Sequence, residues 1–438
     1  MRATAASGLL AACGLLAASV FLTGGPADAR QLPRGGAAPA AALRACPFAI
    51  PDSINAPLSV LRDEIAADDD EDDGDEDDDD EEGDDAPEPT PPAIKRGPGW
   101  LVGDGCVFLG GEIDASMQVS RTGGPLTRGN GRNLDRTTFA PLSTFALRHL
   151  VPTDHGDLIA RLALDTVPGS TTIRQASITF GPLVVGNDTS FFDAWSADEF
   201  SFRALASSQS PTIAGWTWRP ADAVALSVSL EDQTFRQVTV SGYAGQSLPD
   251  VVARAQYILG PVDLTVSGAA RETRITDDPS RTIHGVAAQA SVKWTLPLGN
   301  GDSYLVAQGA FARRAPGYLG VSTTNGIFRQ PIGGIFSAAV AERANGWNAA
   351  LAGYWQFAER WSTAAFVSRV SLDVPGALAK GGATPGFTAL RSAINLSWQP
   401  VEDFSITVEA GRARLDSRLL LLPSSHTSTL IVSMHRSF

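Results

Sequence analysis

The densest chemistry in this chain lies between Asp68 and Asp85, where DDDEDDGDEDDDDEEGDD packs sixteen carboxylates into eighteen residues. Oxygen ligands at that density collect Ca²⁺ weakly, but the spaced pattern of an EF-hand loop is missing, so any cation is held diffusely. Histidine offers less. His149, His155, His284, His426 and His435 are scattered without ligand spacing, and Thr153-Asp154-His155-Gly156-Asp157 reads as a polar turn. Neither GxSxG nor HExxH occurs, so nothing sets a nucleophile beside a base or a water on a metal. By its motifs the chain has no catalytic residue, no cofactor and no metal site. Nucleic acid is excluded as well, because there is no basic aromatic patch and the acidic run repels phosphate.

A second set of charges is spaced differently. Arg148, Arg161, Arg254, Arg271, Lys293 and Arg391 each fall on the polar phase of a stretch in which every other residue is apolar. Bases held on one face of a sheet maintain a fixed field instead of turning over a substrate, which makes the carrying strands the next question. In AVALSVSLED, Val224, Leu226, Val228 and Leu230 oppose Ser227, Ser229 and Glu231. In VDLTVSGAAR, Val262, Leu264 and Val266 oppose Asp263, Thr265, Ser267 and Arg271. From Cys106 onward no sustained helical stripe appears, and this period-two pattern persists to the C-terminus. Sixteen candidate strands begin near residues 106, 136, 157, 171, 183, 212, 223, 250, 262, 282, 302, 346, 361, 386, 404 and 425.

A soluble sandwich also alternates, so the connections carry the distinction. Every second connection is short (VPTDHG, GP, RPAD, GP, PLGNGD, AER, QPVED), whereas the others include long links at 188–211, 232–249 and 313–345. Trp218, Trp294, Trp355, Trp361 and Trp398, with Phe180, Tyr257 and Phe404, lie beside the short turns. Short turns on one rim, long loops on the other and an aromatic girdle are the pattern of an all-β, antiparallel transmembrane β-barrel of sixteen strands.

The rest of the chain fits export to an outer membrane. Residues 1–29 combine Arg2, an apolar core from Ala6 to Leu22 and the small-residue site Ala27-Asp28-Ala29, which predicts a signal peptide and a mature start at Arg30. The apolar stretch before Cys13 is too short for the lipoprotein alternative. Residues 30–105 are Ala/Pro-rich, then acidic, and are expected to be disordered. The chain carries a formal charge of −14, yet +2 remains once the sixteen carboxylates are set aside. The acidity is therefore a local property. After signal removal only Cys46 and Cys106 remain, most simply as a disulfide whose loop encloses the acidic run and stabilises by roughly 4 kcal/mol. Residues 106–438 form the barrel, and Phe438 closes an alternating last strand as an assembly signal.

CVFLGGEIDASMQVS from Cys106, ASITFGPLVVGNDTSFFDAW from Ala176, TIAGWTWRPADAVALSVSLED, GWNAALAGYWQFAERWSTAAFVSRV and the terminal Phe together resemble alphaproteobacterial outer-membrane porins. The resemblance covers Cys106 to Phe438 and makes Cys46 the first of the family's paired cysteines, here with the acidic run inserted between them. It implies a homotrimeric barrel for passive passage of small hydrophilic solutes and ions, assembled by the barrel assembly machinery into a lipid bilayer containing lipopolysaccharide. It also implies that the loop from Asp188 to Pro211 folds inward. Asp193, Asp198 and Glu199 would then face Arg148, Arg161, Arg254, Arg271, Lys293 and Arg391 across the pore, and removing Asp193 and Glu199 would lower cation preference. Arg174 breaks the polar phase and is expected near a strand end. The alternative function is a structural or adhesion barrel whose acidic segment binds cations or envelope partners.

Overall fold

The computed structural model describes residues 99–102, 104–123, 136–239, 241–276, 278–298, 303–321 and 337–438. The strands are β1 (Gly99–Val102), β2 (Gly105–Gly123), β3 (Arg136–Val151), β4 (Leu158–Val167), β5 (Ser170–Phe180), β6 (Leu183–Asn187), β7 (Thr212–Ala221), β8 (Val224–Glu231), β9 (Asp250–Leu259), β10 (Val262–Ile275), β11 (Asp278–Thr295), β12 (Tyr304–Arg313), β13 (Asn345–Ala358), β14 (Trp361–Asp373), β15 (Gly386–Val401), β16 (Phe404–Ser417) and β17 (Ser425–Ser437). From β2 to β17 each strand pairs antiparallel with the next, and β17 returns to β2 through registers such as Val432↔Met117. Sixteen strands thus close on themselves. Closure leaves no edge, so the ladder satisfies every strand's backbone without water.

The side-chain pattern is inverted relative to a soluble protein. On β9, Val251, Tyr257 and Leu259 are exposed on the outer surface, while Asp250, Arg254 and Gln256 are buried toward the interior. Trp218, Trp294, Trp355, Trp361 and Trp398 are likewise exposed, and Trp361 and Trp398 stack at 5.9 Å across the β14–β15 pair. Water would leave these rings as an aggregation surface, whereas a membrane interface is where an amphipathic ring is most stable.

The short β1 falls inside the N-terminal extension that the composition reads as lacking structure. It pairs with the start of β2, from Gly99↔Phe108 to Val102↔Gly105. β17 occupies the same edge of β2 farther along, and Phe438 and Gly111 exchange both backbone hydrogen bonds at 3.0 Å. Cys106 is buried at this seam. Its expected partner Cys46, the acidic run and the signal segment lie outside the described residues.

Candidate functional site

The 188–211 loop follows the five-residue β6 and crosses the barrel interior. Its backbone is satisfied by wall side chains, as a loop without regular structure must be when buried. Trp195 N donates to Gln308 Oε1 on β12 (3.1 Å), Leu205 N to Ser368 Oγ on β14 (2.9 Å), and Phe202 N to Glu409 Oε1 on β16 (2.6 Å). In return the Phe192 carbonyl accepts from Ser267 Oγ (2.7 Å) and Gln289 Nε2 (2.8 Å), and the Glu199 carbonyl from Asn395 Nδ2 (2.6 Å). Aromatic rings fill the space beneath: Phe200 packs edge-on to Phe366 at 4.7 Å, and Phe192 to Tyr318 at 4.6 Å. Two strand glycines seat the loop. A Cβ at Gly215 would lie 2.8 Å from the Phe191 ring, and one at Gly411 would lie 2.7 Å from the Phe202 ring.

A buried ion network pins the loop's base. Arg236, on a short 3₁₀ turn after β8, pairs with Asp193 at 3.4 Å and Glu231 at 3.7 Å, and donates to Ser190 Oγ and Ser207 Oγ. Its guanidinium stacks 4.0 Å from the Tyr318 ring centre. Burial alone would lower the Arg236 pKa, but Asp193, Tyr318 and the neighbouring carboxylates hold it raised. Burial pushes the Tyr318 phenol up, and Tyr318 donates to Asp250 Oδ2 at 2.8 Å. Arg271 extends the network to Glu342 at 3.4 Å and Asp250 at 3.9 Å.

These contacts sort the charges that period-two phase alone groups together. Asp193 is buried, accepts from Gln209 N at 2.6 Å and belongs to the Arg236 clamp, so it does not face open water. Arg254 and Arg271 are also buried, Arg254 beneath the Phe191 ring of the loop at 4.7 Å. Arg391 donates to the Arg203 carbonyl at 3.1 Å and lies 5.5 Å from the Phe202 ring, while Lys293 sits 4.6 Å over Tyr304. Glu199 accepts from Tyr304 Oη, and burial, with Asp198 adjacent, raises its pKa. Asp198 is exposed on the free edge of the loop and accepts from Ser196 Oγ at 2.5 Å. On the opposite wall Arg148 and Arg161 face one another in register, and Arg161 donates to Thr179 Oγ1 at 3.1 Å.

Arg174 is the residue that phase reasoning misplaces. Pairing between β4 and β5 runs Ala163↔Gln175 and then Leu164↔Ile173, which makes Arg174 the extra residue of a β-bulge, well inside the strand. The bulge turns it into the lumen, where Nη1 lies 2.5 Å from Glu112 Oε1 and 3.8 Å from Asp165 Oδ1. The signal was present in the chain. Ile173 and Ile178 both face outward although they are five positions apart, which an unbroken alternation does not allow.

Residues 137–429 match the family model described as Porin subfamily. The chain belongs to this porin family. Among solved structures, the outer membrane channel DcaP of Acinetobacter baumannii is similar over 76% of this chain and 97% of its own, at 14% identity and TM-score 0.60. An anion-selective porin from Comamonas acidovorans matches over 76% of this chain and 100% of its own, at 9% identity and TM-score 0.50. The trimer form of OmpT of Vibrio cholerae matches over 76% and 99%, at 10% identity and TM-score 0.50. At such identities the likeness speaks to the fold. A search of curated proteins gives no match.

Beside the crossing loop the porin keeps an aqueous space. A cavity of about 470 Å³ is lined by Asp114, Asp198, Glu199, Asn395, Asp403 and His435 among other polar groups. Glu112, Asp114 and His435 bring ligand atoms within 4.8 Å of one another, a geometry open to a divalent cation. Two internal contacts already meet their bonding needs: Arg174 neutralises Glu112, and His435 Nδ1 lies 2.9 Å from Asp114 Oδ1.

Proposed function

We propose that the porin is a general diffusion channel whose constriction lies between the free edge of the 188–211 loop and the β2–β5 wall. The observation that carries this reading is the aqueous cavity lined by Asp198 on the loop and Asp114 on β2, beside the half-exposed Arg174–Glu112 pair, with Asp165, Arg148 and Arg161 on the same polar wall. Opposed fixed charges order water, penalise apolar solutes and set ion preference, so small hydrophilic solutes pass and no chemical step is assigned. The proposal includes a homotrimer in the outer membrane, export by cleavage before Arg30, insertion by the barrel assembly machinery through Phe438, and lipopolysaccharide as neighbouring lipid. The quoted strand motifs support an alphaproteobacterial branch of the family, and Cys46 and Cys106 are proposed as its disulfide.

Planar-bilayer recording of the full mature chain tests the channel. Discrete steps that combine in threes are expected, and electrical silence of folded, heat-modifiable protein overturns it. Peptide mapping without reduction tests the disulfide, and free thiols at both positions would refute it.

A further inference from the structure

One inward row on the aqueous side of the lumen is built from a single kind of chemistry. Across the ladders Gln356 pairs with Ser362, Ser362 with Ser397, Ser397 with Thr407, Thr407 with Ser433, and Ser433 with Ser116. The six strands β13–β17 and β2 thus present neutral hydrogen-bonding groups side by side, five of them hydroxyls. All are half-buried, and those on β13–β17 line the aqueous cavity together with Asp198 and Ser201 of the loop edge. The flanking rows differ. Two residues farther from the short turns, Asn395 donates to the Glu199 carbonyl, and Glu409 accepts from Ser201 N and Phe202 N, so that row is engaged by the loop. Toward the short turns the next row holds the His435–Asp114 pair.

The hydroxyl row keeps most of its bonding capacity for whatever enters the cavity. Thr407 Oγ1 donates to Ser397 Oγ at 2.9 Å, and Ser116 Oγ to the Ala140 carbonyl at 3.2 Å. Among the described residues the hydroxyls of Ser362 and Ser433 have no protein partner. The row also has a direction. Barrel strands lean at about 40° to the barrel axis, so a line perpendicular to them climbs instead of circling at one depth. At about 4.8 Å per strand, the spacings from Ser362 to Ser116 cover about 19 Å along the wall and about 12 Å along the axis. A solute moving beside this row meets one hydroxyl after another. Each hydroxyl offers one donor and two acceptor positions, so it matches the hydroxyls of a polyol in either sense. Conduction needs sites that are weak and repeated, and neutral hydroxyls meet both conditions where a carboxylate would hold a cation.

We infer that Ser362, Ser397, Thr407, Ser433 and Ser116, with Gln356 at one end, form an oblique track that favours neutral polyhydroxylated solutes, such as small saccharides, among those the channel passes. This rests on the diffusion-channel reading and names the solute class that its aqueous side selects. The test is tracer uptake into proteoliposomes of the full mature chain, at low concentrations of two neutral probes of similar mass. One is sucrose, and the other is a short polyethylene glycol, which accepts hydrogen bonds along its length but donates only at its ends. In S362A/S397A/T407V/S433A the uptake of sucrose relative to the glycol is expected to fall about fivefold or more, with salt conductance unchanged. S362A/S433A removes no contact within the protein, so its fold is kept, and a smaller fall in the same direction is expected. S397T/T407S retains both hydroxyls and should retain the ratio. An equal ratio in the wild type and both hydroxyl-deleted variants overturns the track, as does an equal loss for both probes. Bilayer recording on the same preparations separates the two readings: normal steps with an unaltered ratio fail the track alone, and absence of steps in the wild type fails the porin reading.

Discussion

On the β8–β16 side of the lumen, Arg236 and Arg271 are almost wholly enclosed, each paired with two carboxylates, and Arg236 is bound to the crossing loop. On the β2–β5 side, Arg174 holds Glu112 at 2.5 Å with half of its side chain (52%) exposed. The residue types are the same and the consequences differ. A buried pair left with one member missing costs several kcal/mol, so the first set fixes where the loop lies. A half-exposed pair contributes little to stability, but its field reaches the water that passes it. One half of the lumen is mechanical and the other electrical.

The sharpest way to break that contrast is Arg236→Ala. It strands Asp193 and Glu231 in the interior and should cost about 3–5 kcal/mol, seen as a lower temperature at which the folded gel form is lost. Arg174→Ala should leave that temperature nearly unchanged. Equal losses from both would abolish the division. Next in size is Gly411→Leu, whose side chain must displace the Phe202 ring from a site where even a Cβ lies at 2.7 Å. Overpacking costs about 1–3 kcal/mol, and single-channel conductance should rise as the loop edge lifts.

Charge changes on the open side should alter selectivity without altering stability. Asp198→Asn should lower cation preference and Arg174→Gln should raise it, read as opposite shifts of reversal potential in a salt gradient. Asp193→Asn in a channel with normal conductance should shift it less than Asp198→Asn, and a larger shift would return Asp193 to the constriction. Smaller still is the pH response. Burial raises Glu199 above its ordinary value, so as pH falls from 7 it takes up a proton earlier than an unperturbed glutamate would. Because the folded chain binds that proton more tightly than the unfolded one, acidification stabilises the fold at this residue while removing one charge from the loop. Cation preference should begin to fall at a higher pH than an unperturbed glutamate would give, and Glu199→Gln should remove that early step. Deleting Asp68–Asp85 should have the least effect, a reduction of cation preference visible only at low salt, since screening confines the run's field to about 8 Å at physiological ionic strength.

The strand starts show how far the chain alone can be read. Period-two alternation places β3, β6, β7, β9, β10, β14, β15, β16 and β17 at their observed first residues, and most others within two. Each outward position faces lipid and each inward position faces water, so the solvent boundary is written into every second residue. The same regularity hides β1, whose four residues are too few to show a period, and Arg174, where a bulge shifts the phase by one.

The sequence by itself determined the barrel: its strand count, its short-turn rim, its aromatic girdle and, the bulged Arg174 aside, the face on which each strand charge lies. These follow from local alternation and from turn residues adjacent in the chain. Only the tertiary structure decided which inward charges meet water. Asp193 and Asp198 lie on the same loop, five positions apart, yet one is enclosed by Arg236 and the other is exposed. That difference depends on contacts to Arg236, Gln308 and Glu409, which lie 43, 113 and 207 positions from their partners in the loop. Long-range packing of this kind has no period to read.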